Sequence, residues 1–187
     1  MIIKLYHSSP AVSSLSGQKI GKTGNEKGDT VSITIRRAKE SDMEKIKDLL
    51  SQVLDVHHNG RPDLFKANCR KYTDLELSEI IKNDSTPIFV AKNGDGILGY
   101  CFCIIKETRD DNIITDHRSL YIDDLCVDSS CRGQNIGSLL YGYVKNYAKE
   151  IGCYNLTLNV WECNPTAKRF YEKLGLVPQK TVMETLL

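Results

Sequence analysis

Apolar and polar positions alternate along VSITIRRA (residues 31–38) with the two-residue period of a half-buried strand. The period then changes. Met43, Ile46, Leu49, Leu50, Val53 and Leu54 fall at three- and four-residue steps, which predicts an amphipathic helix ending near the turn signal His58-Asn59-Gly60. At its start, SDME offers Ser41 as a cap with Glu44 three residues on, the spacing of a capping box. Thr73 is placed to cap a second, shorter helix that carries Leu75, Leu77, Ile80 and Ile81. PIFVAKN and ILGYCFCII flank Gly94-Asp95-Gly96, a hairpin signal between two antiparallel strands, and a polar loop follows from Thr108 to Arg118. SLYIDDLCV (119–127) reads as a strand and Ser138 to Ile151 as a helix with Leu139, Leu140, Tyr143, Val144 and Tyr147 on one side. YNLTLNVW (154–161) reads as the strand that completes a βαβ unit. Asn164-Pro165 opens a further helix, with Asn164 as cap and Pro165 in its first turn; Gly175 closes it, and LVPQKTVMETLL is predicted as a last strand. The predicted order is β-α-α-β-β-β-α-β-α-β, an α/β chain of the α+β type.

The start of the chain has no such period. Residues 8–30 are rich in Ser, Gly, Lys and Thr, so residues 1–30 are expected to be a flexible extension, with a short strand over Met1–Tyr6 lacking an evident partner. Residues 31–187 form the predicted domain. Its size and an apolar content of 41% suit one buried core. Lys plus Arg number 25 against 24 Asp plus Glu, which gives no electrostatic case for nucleic acid or an acidic membrane. No apolar run reaches the length of a membrane span, and MIIKLYHSSP is too short in apolar residues for a secretory signal, so the expectation is a cytoplasmic protein. The seven cysteines sit mostly within apolar segments, as reduced core residues do; Cys101-x-Cys103 lacks the turn of a zinc knuckle, and no metal site is expected.

The most informative stretch is CRGQNIGS (131–138), a glycine-bearing turn between a predicted strand and a predicted helix. Such a turn aims free backbone N–H groups at the positive end of a helix dipole, a natural site for a phosphate, although a plain strand-to-helix corner has the same composition. Neither the G-K-[ST] ending of a P-loop nor the G-x-G-x-x-G of a dinucleotide site is present, which weighs against a nucleotide-binding domain.

YIDDLCVDSSCRGQNIGSLLYGYVKNYAKEIGC together with LTLNVWECNPTAKRFYEKLGLVPQKTVMETLL resembles the two signature segments of the GNAT superfamily of acetyl-CoA-dependent N-acetyltransferases. The resemblance covers residues 31–187 in element order and is specific over 119–187. It implies a central mixed, mostly antiparallel sheet flanked by helices. It also implies that Arg132, Gly133, Gln134, Asn135, Ile136 and Gly137, with Ser138 beyond them, wrap the pyrophosphate of coenzyme A. Asn135 stands where the family usually has a glycine; asparagine is among the few other residues that tolerate a left-handed backbone. Asn164 and Ala167 are implied near the pantetheine arm and Tyr171 near the thioester sulfur, and helical spacing puts all three along one face.

The implied reaction is acetyl transfer from acetyl-CoA to a primary amine of a small molecule or peptide, in a ternary complex without a covalent intermediate. The resemblance assigns the carbonyl contact to backbone N–H groups near Leu125, Cys126 and Val127 and the proton donor to Tyr171. Asp123 and Asp124 are the candidate bases. In a regular strand they point to opposite faces, so only one would face the substrate, and a bulge would change which. Their simpler reading is a loop cap or a pair with Arg118. Asn159 takes the place of a basic Glu found in some relatives, leaving Glu162 to act through water. His57, His58, Arg61, Asp63 and Phe65 in HHNGRPDLF are candidate substrate contacts, as are Asp110, Asp111 and Asp116. The alternative class is a catalytically silent acyl-CoA-binding module, and a homodimer is the common arrangement for such domains.

Overall fold

The structure is a computed structural model that describes residues 18–23, 31–94 and 96–187. The strand considered over Met1–Tyr6 lies outside these residues. Among the described residues six strands form a single sheet in sequence order: β1 (Gln18–Thr23), β2 (Val31–Arg37), β3 (Ile88–Asn93), β4 (Gly96–Thr108), β5 (His117–Val127) and β6 (Asn155–Leu158). The first four neighbouring pairs are antiparallel and β5–β6 is parallel. A right-handed return through a helix is the usual way to join parallel neighbours, and α3 (Ile136–Glu150) fills that role.

Two apolar cores lie on the two faces of the sheet. On one, α1 (Met43–Gly60) and α2 (Asp74–Lys82) bring Ile46, Leu49, Leu50, Leu77 and Ile81 against Ile88, Val90, Tyr100 and Phe102. On the other, α3 lays Ile136, Leu140, Tyr143, Val144 and Tyr147 over Ile33, Ile35, Phe89, Leu120 and Ile122. The alternating side chains of the central strands feed both cores, which is why β3 and β4 are apolar almost throughout. The last helix, α4 (Pro165–Lys173), starts where predicted: the Asn164 side chain accepts from the Ala167 N–H at 3.1 Å and Pro165 occupies the first turn.

Three expectations are corrected. Within the expected N-terminal extension, Gln18–Thr23 pairs with β2 as an edge strand, with a register shift between Lys19 and Lys22. Ser41 does not cap α1. A short 3₁₀ turn, Glu40–Asp42, precedes that helix, and Asp42 accepts from the Lys39 N–H at 2.8 Å while gripping Arg36 of β2 at 2.7 and 2.9 Å. A nearly buried carboxylate bound to a guanidinium anchors the turn better than an exposed hydroxyl. Finally, residues 176–187 form no strand: Pro178 offers no N–H to a ladder, and Val177, Val182, Met183 and Leu186 are exposed.

Candidate functional site

The site begins with a defect in the sheet. Along β4–β5 the register runs Phe102 opposite Asp124 and Cys103 opposite Ile122, so Asp123 is an extra residue on β5. A bulge of this kind places two consecutive side chains on one side of the strand. Asp123 and Asp124 therefore do not point to opposite faces as a regular strand would have them. Both reach the same ammonium, Lys71 Nζ, at 3.0 Å from Asp123 Oδ2 and 3.5 Å from Asp124 Oδ2. Arg118, the partner considered from sequence, is instead engaged with Glu107 and the Ile151 carbonyl.

The two carboxylates differ in setting. The Asp124 side chain is 9% exposed, against 24% for Asp123. The Tyr100 hydroxyl donates to Asp124 Oδ2 at 3.1 Å. Burial raises the Asp124 carboxyl above the ordinary range, with Lys71 and the Tyr100 hydrogen bond working against that rise. Its charge is felt by Tyr171 on α4 and by His57 on α1. Burial first, then Cys101 and Asp124, push the Tyr171 phenol well above its usual range, so it holds its proton at neutral pH.

Above this floor is an aromatic wall. His57 stacks on Phe65 with ring centroids 5.0 Å apart, and Phe65 meets Trp161 edge-on at 5.2 Å. Burial keeps the His57 imidazole below its usual range, with Asp124 opposing and Lys71 adding to the effect. His58 fixes the loop through Nδ1, 2.7 Å from the Phe65 carbonyl. On the other side Tyr72 stacks on Phe102 at 5.9 Å, with Lys71 Nζ 5.4 Å from the Tyr72 ring centre.

Beside the carboxylates the sheet opens. β6 pairs with β5 only from Ser119 to Ile122, so among the described residues Asp123 to Val127 have no strand neighbour on that side. Asp128 N–H bonds the Leu98 carbonyl of β4, and alternate residues direct their backbone groups to opposite sides. Leu125 and Val127 thus turn N–H and C=O toward the gap, where Arg132 Nε approaches the Val127 carbonyl at 3.4 Å. Cys126 faces the other way, its side chain buried with Sγ 3.5 Å from the Leu49 carbonyl and its thiol pushed up to about 12 by burial and then by Asp124. Next comes the glycine turn. Gly133 has φ 81°, and Asn135 sits in the left-handed region at φ 62°, ψ 9°, as its residue type allows. Arg132, Gly133, Gln134 and Asn135 are exposed, whereas the Ile136 side chain is buried in the core, so Ile136 has only its N–H to offer. A Cβ on Gly137 would stand 3.1 Å from Phe170 Cζ, which makes that glycine the close contact between α3 and α4. With free N–H groups at the start of α3 and an unpaired β5 edge leading to them, these residues fit a pyrophosphate and the amide-bearing arm of coenzyme A.

The remaining predicted residues are less available. Arg61 is forked between Asp63 and Glu184, and Glu162 pairs with Lys168 on the surface. Asp111 and Asp116 cap backbone N–H groups of their own loop. Ser138 and Ala167 are half-buried at the starts of their helices. Lys71, Tyr100, Tyr72 and Trp161 escaped the sequence reading. For Trp161 a signal existed, since a lone tryptophan just after a strand leading to the Asn-Pro helix start is a natural wall residue; for Lys71 there was none, as its nearer partner in sequence, Asp123, lies 52 residues away.

The sequence model of the acetyltransferase (GNAT) family matches residues 53–176. A glucosamine 6-phosphate N-acetyltransferase from Arabidopsis thaliana is 36% identical over 56 residues, covering 30% of this chain and 36% of that protein. A thialysine N-epsilon-acetyltransferase from Bos taurus is 38% identical over 58 residues, 31% of this chain and 34% of that protein. The chain thus spans about a third of the length of the curated relatives it matches. Among solved structures, a tetramutant protein from Bacillus halodurans superposes with a TM-score of 0.78 at 29% identity, over 82% of this chain and 99% of that one. The family match, running from α1 through α4 and taking in the bulged strand and the glycine turn, agrees with that superposition: the chain belongs to the GNAT acetyltransferase family.

Proposed function

We propose that this protein transfers the acetyl group of acetyl-CoA directly to a primary amine, with Asp124 as base and Tyr171 as acid. The observation that carries the reading is the convergence of a buried carboxylate from β5 and a half-buried, protonated phenol from α4 beside the place where β5 and β6 part. Bound acetyl-CoA supplies an activated acetyl thioester. The Leu125 and Val127 edge holds its amide-bearing arm as an added strand would be held, and the turn from Arg132 to Gly137 receives its pyrophosphate. An N–H from the same edge polarises the carbonyl.

An amine is a nucleophile only without its extra proton. Asp124, raised by burial toward the range useful for a base, takes that proton. Tyr171 gives one to the departing sulfur. Asp124 is preferred to Asp123 because its charge reaches Tyr171 and His57, whereas that of Asp123 is shared among Lys71, Tyr72, Tyr121 and Lys106. The nearby thiols of Cys101 and Cys126 are buried and raised, poor nucleophiles, which favours direct transfer. His57, Phe65 and Trp161 form the acceptor wall. Relatives named for acetylating glucosamine 6-phosphate and thialysine support an amine acceptor.

Thiol release from acetyl-CoA across a panel of amino sugars, amino acids, polyamines and peptide N-termini tests the reading. Turnover with at least one amine, lost in Asp124→Asn, is expected. Acetyl-CoA stabilisation against heat with no turnover on any amine would make the protein a silent acyl-CoA-binding module.

A further inference from the structure

We propose that Lys71 is a positioning residue for acetyl transfer: its ammonium, lodged between the two carboxylates of the β5 bulge, holds the buried Asp124 as the anion that receives the acceptor's proton. The inference rests on the base assignment above. Its geometry is independent of it. Lys71 comes from the connection between α1 and α2, stands 3.0 Å from Asp123 and 3.5 Å from Asp124, and lies against the rings of Tyr72 and Phe102 at 5.4 and 6.0 Å from their centres.

The bulge creates the need for this cation. Two consecutive carboxylates on one side of a strand repel each other, and the inner one has lost most of its water. Among the described residues, the charged and titratable groups facing Asp124 are Lys71 and Tyr72 from the α1–α2 connection, His57 from α1, Tyr100 and Cys101 from β4, Asp123 and Cys126 from its own strand, and Tyr171 from α4. Asp123 repels the Asp124 charge, and the phenols and thiols carry none at neutral pH. Burial lowers the His57 imidazole, so that it is a poor source of positive charge. Lys71 is the dependable counter-charge. Burial opposes its ammonium, but the carboxylates outweigh burial and hold it above the ordinary lysine range.

Removing that charge raises Asp124 further, so the fraction ionised at neutral pH falls and the acidic limb of the rate profile moves to higher pH. An opposite charge at this distance is worth about 1–3 pH units. The experiment compares the full chain with Lys71→Met, Lys71→Arg and Asp124→Asn. Two quantities are read: the carboxyl ¹³C titration of Asp124 without acceptor, and the pH dependence of kcat/KM for the best amine of the panel. Lys71→Met should move both midpoints up by about 1 pH unit or more and recover rate at alkaline pH, and Lys71→Arg should restore both. Lys71→Gln serves in the same way should the Met variant not fold. An Asp124 titration that stays in place in the neutral variant, or a rate that falls equally at every pH, overturns the role of Lys71. If Asp124→Asn keeps the full rate, the base assignment itself falls, whatever the titration shows.

Discussion

Asn135 is the residue at which the glycine turn departs from its family, and its conformation allows a quantitative prediction. The backbone is left-handed at φ 62°, ψ 9°, and the side chain makes no capping hydrogen bond to α3. Asn135→Gly therefore removes no bond. It relieves the left-handed strain and adds unfolded-state freedom worth about 0.5–1 kcal/mol, two effects of opposite sign and similar size. Net stability should change by about 0.5 kcal/mol or less, and acetyl-CoA affinity should hold or improve, since the N–H groups keep their aim. Asn135→Ala keeps the strain without asparagine's tolerance of it and should cost about 1 kcal/mol, a fall in Tm of about 2–4 °C for a domain of this size. Thermal melts with and without acetyl-CoA, and calorimetric titration of both variants, provide the measurements. An Asn135→Ala protein as stable as the parent would refute the conformational argument. Loss of acetyl-CoA binding in Asn135→Gly would refute the assignment of the turn.

Other residues give sharp outcomes. Tyr171→Phe should lower kcat by about 100-fold or more and leave acetyl-CoA stabilisation intact; an unchanged kcat would remove the phenol from the reaction. At Gly99 a Cβ would lie 2.5 Å from the Cys126 carbonyl, so Gly99→Ala must push β4 from β5 and should cost about 1–3 kcal/mol in urea melts, a value that near zero would contradict. Burial acts to raise the Asp42 carboxyl, but Arg36 and the Lys39 N–H outweigh it and leave it below the ordinary range. The stability this confers is present above the unfolded value of about 3.9 and is lost as pH falls through the lower folded value, so acid melts should be less steep in Asp42→Asn.

The elements legible from sequence were those whose cause is local. The stripe from Met43 to Leu54 needs only a sheet to cover it, and Gly94 and Asn164-Pro165 mark their boundaries through backbone preferences that act wherever they occur. The turn at residues 131–137 was readable for the same reason, down to the left-handed Asn135. Where a second segment decides, the reading failed. Asp42 anchors the start of α1 because Arg36 of β2 is there to hold it, and nothing in SDME says so. LVPQKTVMETLL holds enough apolar and β-branched residues to suggest a strand, yet a strand exists only with a partner.

The carboxylate pair shows the limit most clearly, because there the sequence leaves two geometries open, a regular strand and a bulged one. Strand parity separates Asp123 and Asp124 to opposite faces only if the ladder is regular. One extra residue in β5 opposite Phe102 and Cys103 undoes it. The mismatch belongs to two strands at once and leaves no trace in either alone. Its consequence spreads to a third segment: once both carboxylates share a face, a cation must stand between them, and the loop before α2 supplies Lys71. Nothing in RKYTD distinguishes that lysine from any solvated one. A single irregularity in strand pairing thus relocates a charge, recruits a distant residue and sets the protonation of the candidate base.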